Sequence, residues 1–186
     1  MTPNAVEARA RLLELLRARS FARRRVVLAS GRESDFFIDC KQTVLGAEAH
    51  ALVGELLFDT VRDFSPVAVA GVELGGCPLA SAVALTSHLR GAPLDAIYVR
   101  KDAKDHGSRR EIEGDAHLAR GARVALVEDV ITTGGSTLKA AEKLRAAGYE
   151  VTGVAALVDR LEGGREAIEA AGLPIVAIYT RHDFMT

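Results

Sequence analysis

The sequence predicts an α/β fold, in which a mainly parallel, twisted sheet is flanked by helices. Short, almost wholly apolar runs such as VAVAG at 67–71 are typical of strands buried on both faces of such a sheet. Longer segments with apolar residues at helical spacing alternate with these runs. Because strands that alternate with helices are joined by right-handed crossovers, we expect most strands to be parallel.

The first helix is predicted at 4–20, where Leu12, Leu13, Leu15 and Leu16 recur at helical spacing among arginines. The following strands are predicted from apolar runs between turn-forming segments, at 26–30, 36–39, 67–71, 95–100, 122–129, 150–159 and 174–180. Further helices are predicted at 46–62, 78–90, 136–147 and 162–171.

The composition limits the classes of protein that the chain can belong to. Its 186 residues, 48% of them hydrophobic and 26% charged, indicate one globular domain covering 1–186. A net charge of −1 offers no basic field for nucleic acid or an acidic membrane. No apolar run is long enough to span a bilayer, and the N-terminus is too charged for a secretory leader, so we expect a cytoplasmic protein. Cys40 and Cys77 form no CxxC pair and are expected to be reduced, structural residues.

The most informative stretch is residues 124–137, which read VALVEDVITTGGST. We expect the apolar residues to form a buried strand with Glu128 and Asp129 at its carboxyl end, where ligands collect in a parallel sheet. The loop at 132–137 then turns into a helix near Ser136, and its glycines and the helix N-terminus suit a phosphate. Acids suit hydroxyl groups or a metal ion, so together the stretch suits a ribose 5-phosphate.

A plainer interpretation of this stretch is an ordinary strand, turn and helix with a serine N-cap and solvated acids. Other phosphate and catalytic motifs are absent from the sequence: it has no Walker GK[ST], no GxGxxG, no GxSxG and no HExxH.

The stretch resembles the phosphoribosyl-diphosphate binding signature of type I phosphoribosyltransferases. The resemblance implies that Glu128 and Asp129 bind the ribose 2- and 3-hydroxyls and that residues 132–137 hold the 5-phosphate. The substrate-binding residues that it implies in this stretch are Glu128, Asp129, Val130, Ile131, Thr132, Thr133, Gly134, Gly135 and Ser136.

Residues 100–114, RKDAKDHGSRREIEG, break every periodicity. They can be a surface loop of mixed charge, but long structureless loops are often functional lids. Cations on a lid would stabilise a diphosphate leaving group, and loss of one such donor typically costs on the order of 10²–10³ in rate. RKxxKDHG resembles the catalytic loop of orotate phosphoribosyltransferases. The resemblance implies a homodimer in which this loop reaches the neighbouring subunit's site, with diphosphate contacts from Arg100, Lys101, Lys104 and His106.

Three further stretches are similar to the same family. LASGRESDFFID at 28–39 implies an orotate pocket with Phe36 and Phe37, although core packing is an equal alternative for Phe36. GVELGGCPLA at 71–80 implies a diphosphate loop, and LVDR at 157–160 implies an arginine against the orotate carboxylate, where a surface arginine is the alternative. The residues concerned are Leu74, Gly75, Gly76 and Arg160.

The family resemblance also implies a small N-terminal hood formed largely by residues 1–45. Two positions depart from some relatives, because Ala29 and Gly75 stand where those relatives have lysine. Either the lid supplies the missing charge, or affinity for the diphosphate is lower.

The reaction implied is transfer of the 5-phosphoribosyl group from 5-phosphoribosyl 1-diphosphate to orotate, in pyrimidine biosynthesis. Mg²⁺ is expected to bind mainly through the substrate diphosphate, with no protein ligand assigned to it. Two alternatives are a purine phosphoribosyltransferase and a regulator with this fold that binds RNA or DNA; the lack of a basic face argues against the regulator.

Overall fold

A computed structural model describes residues 4–27, 33–101 and 110–185. The described elements, in chain order, are α1 Ala5–Arg19, β1 Phe21–Val27, β2 Glu33–Ile38, α2 Lys41–Val44, α3 Ala47–Arg62, β3 Ala68–Val72, α4 Gly76–Leu89, β4 Asp95–Val99, β5 Ile112–Glu113, β6 Arg123–Ile131, α5 Gly135–Ala146, β7 Glu150–Asp159, α6 Gly164–Ala170, β8 Ile175–Thr180 and α7 Arg181–Met185. None of the helices among these residues is long and apolar enough to cross a membrane.

The main sheet has six strands in the order β5-β4-β3-β6-β7-β8. All neighbouring pairs are parallel except β4 and β5, which pair in antiparallel fashion. The predicted α/β class with a mainly parallel sheet is therefore confirmed. The chain moves outward in one direction from β3 to β4 and in the other from β6 to β8, so a crevice opens between the carboxyl ends of β3 and β6.

Helices cover both faces of this sheet. One apolar core joins the sheet to α1, α3 and α4, and includes Leu16, Phe58 and Leu79. A second core on the opposite face includes Leu144 of α5 and Ile168 of α6. The central strands are short apolar runs for this reason, since side chains of both orientations must leave water.

The N-terminal part forms a separate two-stranded antiparallel sheet of β1 and β2. Phe36 of β2 anchors it, because its ring lies 5.2 Å from that of Phe21 and 5.7 Å from that of Phe184, measured between centroids. The predicted strand at 26–30 starts too late, because β1 begins at Phe21 and runs to Val27; residues 28–30 lie outside the described part. A hood formed by residues 1–45 stays a prediction.

The predicted boundaries fail where short elements or tertiary contacts decide the structure. The sequence pattern missed α2, β5 and α7, which are too short to show a period. It also ended the strand of the acidic pair too early. That strand, β6, continues to Ile131 because Val130 and Ile131 still pair with Val158 and Asp159 of β7.

Candidate active site

The crevice between β3 and β6 contains the acidic pair that the sequence singled out. The loop that follows β3 faces this pair, so that Glu73, Leu74 and Gly75 meet Glu128 and Asp129 across a cleft of about 220 Å³. The residues that line the cleft are Lys41, Glu73, Leu74, Gly75, Lys101, Glu128, Asp129, Val130 and Ser136. The topology thus brings together the two loops that the sequence assigned to one ligand.

Glu128 is a buried carboxyl group, with 6% of the residue exposed. The Thr137 hydroxyl donates to its Oε2 over 3.4 Å. Burial raises the pKa of Glu128 well above its ordinary value, and the charge of Asp129 raises it further. Solvated acids are therefore the wrong description of Glu128. A carboxyl group held in this way suits a ligand hydroxyl or a cation, because either one would give the buried oxygen atoms the polar contact that they do not receive from water.

Asp129 is half-buried, and its carboxylate lies directly against the loop after β3. The Val130 N–H donates to Asp129 Oδ1 over 3.0 Å. A Cβ atom added to Gly75 would lie 2.2–2.3 Å from the atoms of this carboxylate, so a side chain there would require the Asp129 carboxylate to move. The lysine that some relatives have at this position therefore goes with a different position of the Asp129 side chain.

The Thr/Gly/Ser loop forms a second, smaller hollow of about 80 Å³ beside Glu128. Its lining contains every residue of the predicted loop, 132–137, together with Val130 and Ile131 at the end of β6. Gly134 has φ 78°, and a Cβ there would lie 2.9 Å from the Gly164 carbonyl oxygen, so the turn requires glycine.

Helix α5 starts from this turn without a side-chain cap. Its N-cap is Gly134 and not the serine of the plainer interpretation, and within the described part of the chain no side chain accepts from its first N–H groups. The first turn contains no acidic residue. Unpaired N–H groups at a helix N-terminus attract an anion, so the hollow suits a phosphate group.

The predicted diphosphate loop leads from β3 into α4. Leu74 is 63% exposed, Gly75 is buried against Asp129, and α4 begins at Gly76. The peptide bond between Glu73 and Leu74 is cis. A Cβ on Gly76 would lie 2.5 Å from the Val127 carbonyl oxygen, which shows how closely the loop approaches β6.

Of the four predicted lid residues, one lines this cleft and a second lines an adjoining cleft. Lys101 lines the first cleft, and the Lys101 N–H donates to a carboxylate oxygen of Glu73 over 3.0 Å. Arg100 lines an adjoining cleft of about 300 Å³, which Lys101 and Ser136 also line. Lys104 and His106 lie outside the described residues.

Arg160 follows β7 and is only 8% exposed, so the alternative of a surface arginine is wrong. Its Nη2 donates to the Phe36 carbonyl oxygen over 3.0 Å. The Glu162 Oε1 atom lies 2.9 Å from Arg160 Nη2 and accepts from Arg160 Nε over 3.1 Å. The other oxygen, Oε2, is buried and has no hydrogen-bond partner among the described residues. The Arg160 guanidinium is therefore held in place by the Phe36 carbonyl and is paired with the carboxylate of Glu162.

Phe36 and Phe37 differ in their surroundings. The Phe36 side chain is fully buried among aromatic rings, with the Arg160 guanidinium 5.4 Å from its centroid. Core packing thus accounts for Phe36, while its backbone carbonyl supports Arg160. Phe37 is half-buried, and the Arg24 guanidinium lies 3.9 Å from its ring centroid. A contact of either ring with orotate stays a prediction.

Sequence reasoning missed two residues of the cleft. Lys41 belongs to the four-residue helix α2, which has no periodic pattern. Glu73 lies within the predicted diphosphate loop but was given no role. Lys41 closely follows the recognised stretch at 28–39, and Glu73 lies within the one at 71–80. Their positions in the sequence were the only signal that could have identified them.

The cysteines agree with the expected structural role. Both are free thiols. Burial raises the pKa of Cys40 well above its ordinary value and that of Cys77 to about 11, so both remain protonated at neutral pH.

Comparisons with known proteins point to one family. A family model described as the phosphoribosyl transferase domain matches residues 45–171. An orotate phosphoribosyltransferase of Sorangium cellulosum is 69% identical over 186 residues, which is 100% of this chain and 97% of the relative.

Solved structures match over almost the whole chain as well. A crystal structure of Mycobacterium tuberculosis orotate phosphoribosyltransferase with Fe(III) dicitrate has a TM-score of 0.82 and 42% identity, covering 96% of this chain and 99% of that one. A structure of the same enzyme with 5-phospho-alpha-D-ribosyl 1-diphosphate has a TM-score of 0.79 and 39% identity, with coverage of 96% and 99%.

The raised pKa of Glu128 gives a test of its burial. In the unfolded chain the Glu128 carboxyl has its ordinary pKa of 4.5, whereas in the folded protein its pKa is higher. The folded protein therefore loses stability as the pH rises from the pKa of the unfolded chain towards that of the folded protein. We expect Glu128→Gln to unfold at higher denaturant than the unchanged protein at pH 8, with the advantage shrinking towards pH 5. Denaturant midpoints at both pH values measure this, and an equal advantage at the two values would mean that Glu128 is not a titrating buried group.

Proposed function

The chain belongs to the phosphoribosyltransferase family and, within it, to the orotate phosphoribosyltransferases, and we infer that its acidic cleft binds the sugar donor. The enzyme transfers the 5-phosphoribosyl group from 5-phosphoribosyl 1-diphosphate to orotate, which gives orotidine 5′-monophosphate and diphosphate in pyrimidine biosynthesis. One observation supports the cleft as the donor site above all others. A buried carboxyl group adjoins an uncapped helix N-terminus in the crevice between β3 and β6.

The donor has two chemically different ends, and the cleft has matching parts. We assign the 5-phosphate to the hollow of residues 132–137, where backbone N–H groups are unpaired. The ribose 2- and 3-hydroxyls fall to Glu128 and Asp129, which can accept hydrogen bonds from them. Two anchors on one rigid strand and its loop fix the ribose, so that the anomeric carbon is presented in one orientation.

The diphosphate end extends towards the loop after β3. We propose that backbone N–H groups of Leu74, Gly75 and Gly76 and the cations of Arg100 and Lys101 surround it. Negative charge grows on the diphosphate as the bond to the anomeric carbon breaks and the sugar becomes oxocarbenium-like. Positive groups held in place before the reaction stabilise that charge most effectively. Lys104 and His106 belong to the same proposal through the family resemblance alone.

Mg²⁺ fits this arrangement as an ion carried by the substrate. The cleft offers the hard carboxylate oxygens of Glu128 and Asp129, which suit the ion. We propose that the donor's own oxygens supply most of the ligands of the ion. When bound, the ion neutralises part of the diphosphate charge.

Assembly and location are proposed from the family resemblance. We propose a homodimer in which the 100–114 loop is shared across subunits, so that Arg100 and Lys101 remain at the cleft of their own chain and later residues of the loop reach the partner's site. We also propose that the enzyme acts in the cytoplasm. The small-molecule substrates need no nucleic-acid or membrane partner.

Lys41 supplies a cation at the cleft, and the family resemblance had assigned no role to this residue. Its Nζ lies 2.6 Å from Asp39 Oδ1, and it lines the cleft together with Asp129. The hydrogen bond with Asp39 raises the pKa of Lys41, and the charge of Asp129 adds to this effect. Since Ala29 and Gly75 stand where some relatives have lysine, we propose that Lys41 carries charge for the diphosphate in this chain.

The assigned base is tested directly by turnover. The enzyme is expected to consume 5-phosphoribosyl 1-diphosphate with orotate and to show no comparable turnover with adenine, hypoxanthine or xanthine. All four reactions release diphosphate, so one assay for diphosphate measures the rate with each base. Faster turnover with a purine base than with orotate would overturn orotate as the acceptor.

The role of Lys41 is tested by Lys41→Met, which keeps most of the side-chain volume and removes the charge. Loss of a charged contact to the diphosphate is expected to raise the donor KM about tenfold, with the orotate KM unchanged. Gln42→Ala serves as the control, because Gln42 is an exposed neighbour on α2 that also contacts Asp39. Equal donor KM values for the Lys41 variant and the control would remove Lys41 from the site.

The role of Arg160 requires a variant in which removal of the arginine does not leave the Glu162 carboxylate without its partner. Arg160→Met combined with Glu162→Gln is expected to raise the orotate KM about tenfold or more, since a guanidinium–carboxylate contact is lost. Glu162→Gln alone keeps the arginine and is the matched control. A rise in the donor KM without a change for orotate would show that Arg160 does not bind the orotate carboxylate.

A further inference from the structure

Lys143, in the last turn of α5, makes three polar contacts outside its own helix. Its Nζ donates to the carbonyl oxygens of Arg100 and Lys101 over 2.9 and 2.8 Å, and it lies 3.1 Å from Glu111 Oε1. A lysine ammonium has three N–H donors, so each of them has an acceptor. The side chain is 20% exposed, which means that most of its length is packed against protein.

The three acceptors belong to the two chain segments that flank residues 102–109. The Arg100 N–H also donates to the Glu111 carbonyl oxygen over 2.9 Å, which joins the two segments directly. On the far side, the Lys101 N–H donates to the Glu73 carboxylate. The Lys101 backbone is thus held from α5 through its carbonyl and from the loop after β3 through its N–H.

Lys101 is the residue through which this anchoring reaches the active site. It lines both the acidic cleft and the adjoining cleft, and Lys143 lines only the second. A backbone fixed at both its N–H and its carbonyl limits where the side-chain cation can lie. Without the hydrogen bond from Lys143 to the Lys101 carbonyl, the Lys101 ammonium group would spend less time at the position where it can contact the diphosphate.

An ordinary surface ion pair does not account for these contacts. A pair between Lys143 and the half-exposed Glu111 would contribute little to the stability of the fold on its own, because water screens exposed charges. Two of the three N–H donors of Lys143 go instead to the adjacent backbone carbonyls of Arg100 and Lys101. These two hydrogen bonds fix the orientation of the backbone at residues 100 and 101.

We propose that Lys143 is a positioning residue for donor binding, which acts mainly by holding Lys101 at the cleft. This inference rests on the proposed function, because it assumes that Lys101 faces the diphosphate. It assigns no contact between Lys143 itself and the substrate.

The test uses Lys143→Met in the full chain, with Arg145→Met as the control, since Arg145 is an exposed cation on the same helix. The Lys143 variant is expected to bind inorganic diphosphate about tenfold more weakly and to raise the donor KM by a similar factor. The orotate KM should remain within about twofold of the unchanged enzyme, as should all values for the control. Thermal unfolding of both variants checks that they fold.

A second background separates positioning from general stabilisation. In Lys101→Met, the further change Lys143→Met should weaken diphosphate binding less than about threefold, because the cation it positions is already gone. A full tenfold additional loss in that background, an equal rise in donor and orotate KM, or diphosphate binding like that of the control would each overturn the proposal. If the unchanged protein turns over no orotate, the proposed function fails separately, and the diphosphate titration still decides the role of Lys143.

Discussion

The buried carboxyl group of Glu128 is the constraint on which the active site depends. It lies within β6, next to β3, where the chain changes direction across the sheet. Burial of an acid without a full set of partners destabilises a fold, and proteins retain such groups where a ligand needs them. The apolar cores on both faces of the sheet offset this cost, because Val124 to Val127 of the same strand are completely packed.

The close approach of the two loops follows from the same arrangement. Gly75 leaves room for the Asp129 carboxylate, and Gly76 lies against the Val127 carbonyl. A Cβ on Gly71 would lie 2.4 Å from the Gly76 carbonyl oxygen, so α4 can start close to β3 only with glycine there. The glycines therefore allow one loop to reach the acids of the other. The cations of Lys41 and Lys101 then line a cleft whose walls are fixed by backbone contacts.

The fold and the acidic residues of the cleft could be predicted from the sequence because both depend on local patterns. Buried parallel strands are apolar runs, and the acids and glycines of 124–137 lie on one continuous strand and loop. Other features depend on contacts between distant segments. Lys41 enters the cleft on a helix of one turn, Arg160 donates to the Phe36 carbonyl of β2, and the Lys143 contacts join α5 to the segments beside 102–109. No periodicity or spacing in the chain encodes such contacts.

The most direct measurement of the donor site is a crystal structure of the enzyme with bound 5-phosphoribosyl 1-diphosphate. We expect the 5-phosphate among the backbone N–H groups of residues 132–136 and the ribose hydroxyls against Glu128 and Asp129. A donor bound in another part of the molecule, with the acidic cleft free of ligand, would contradict this assignment.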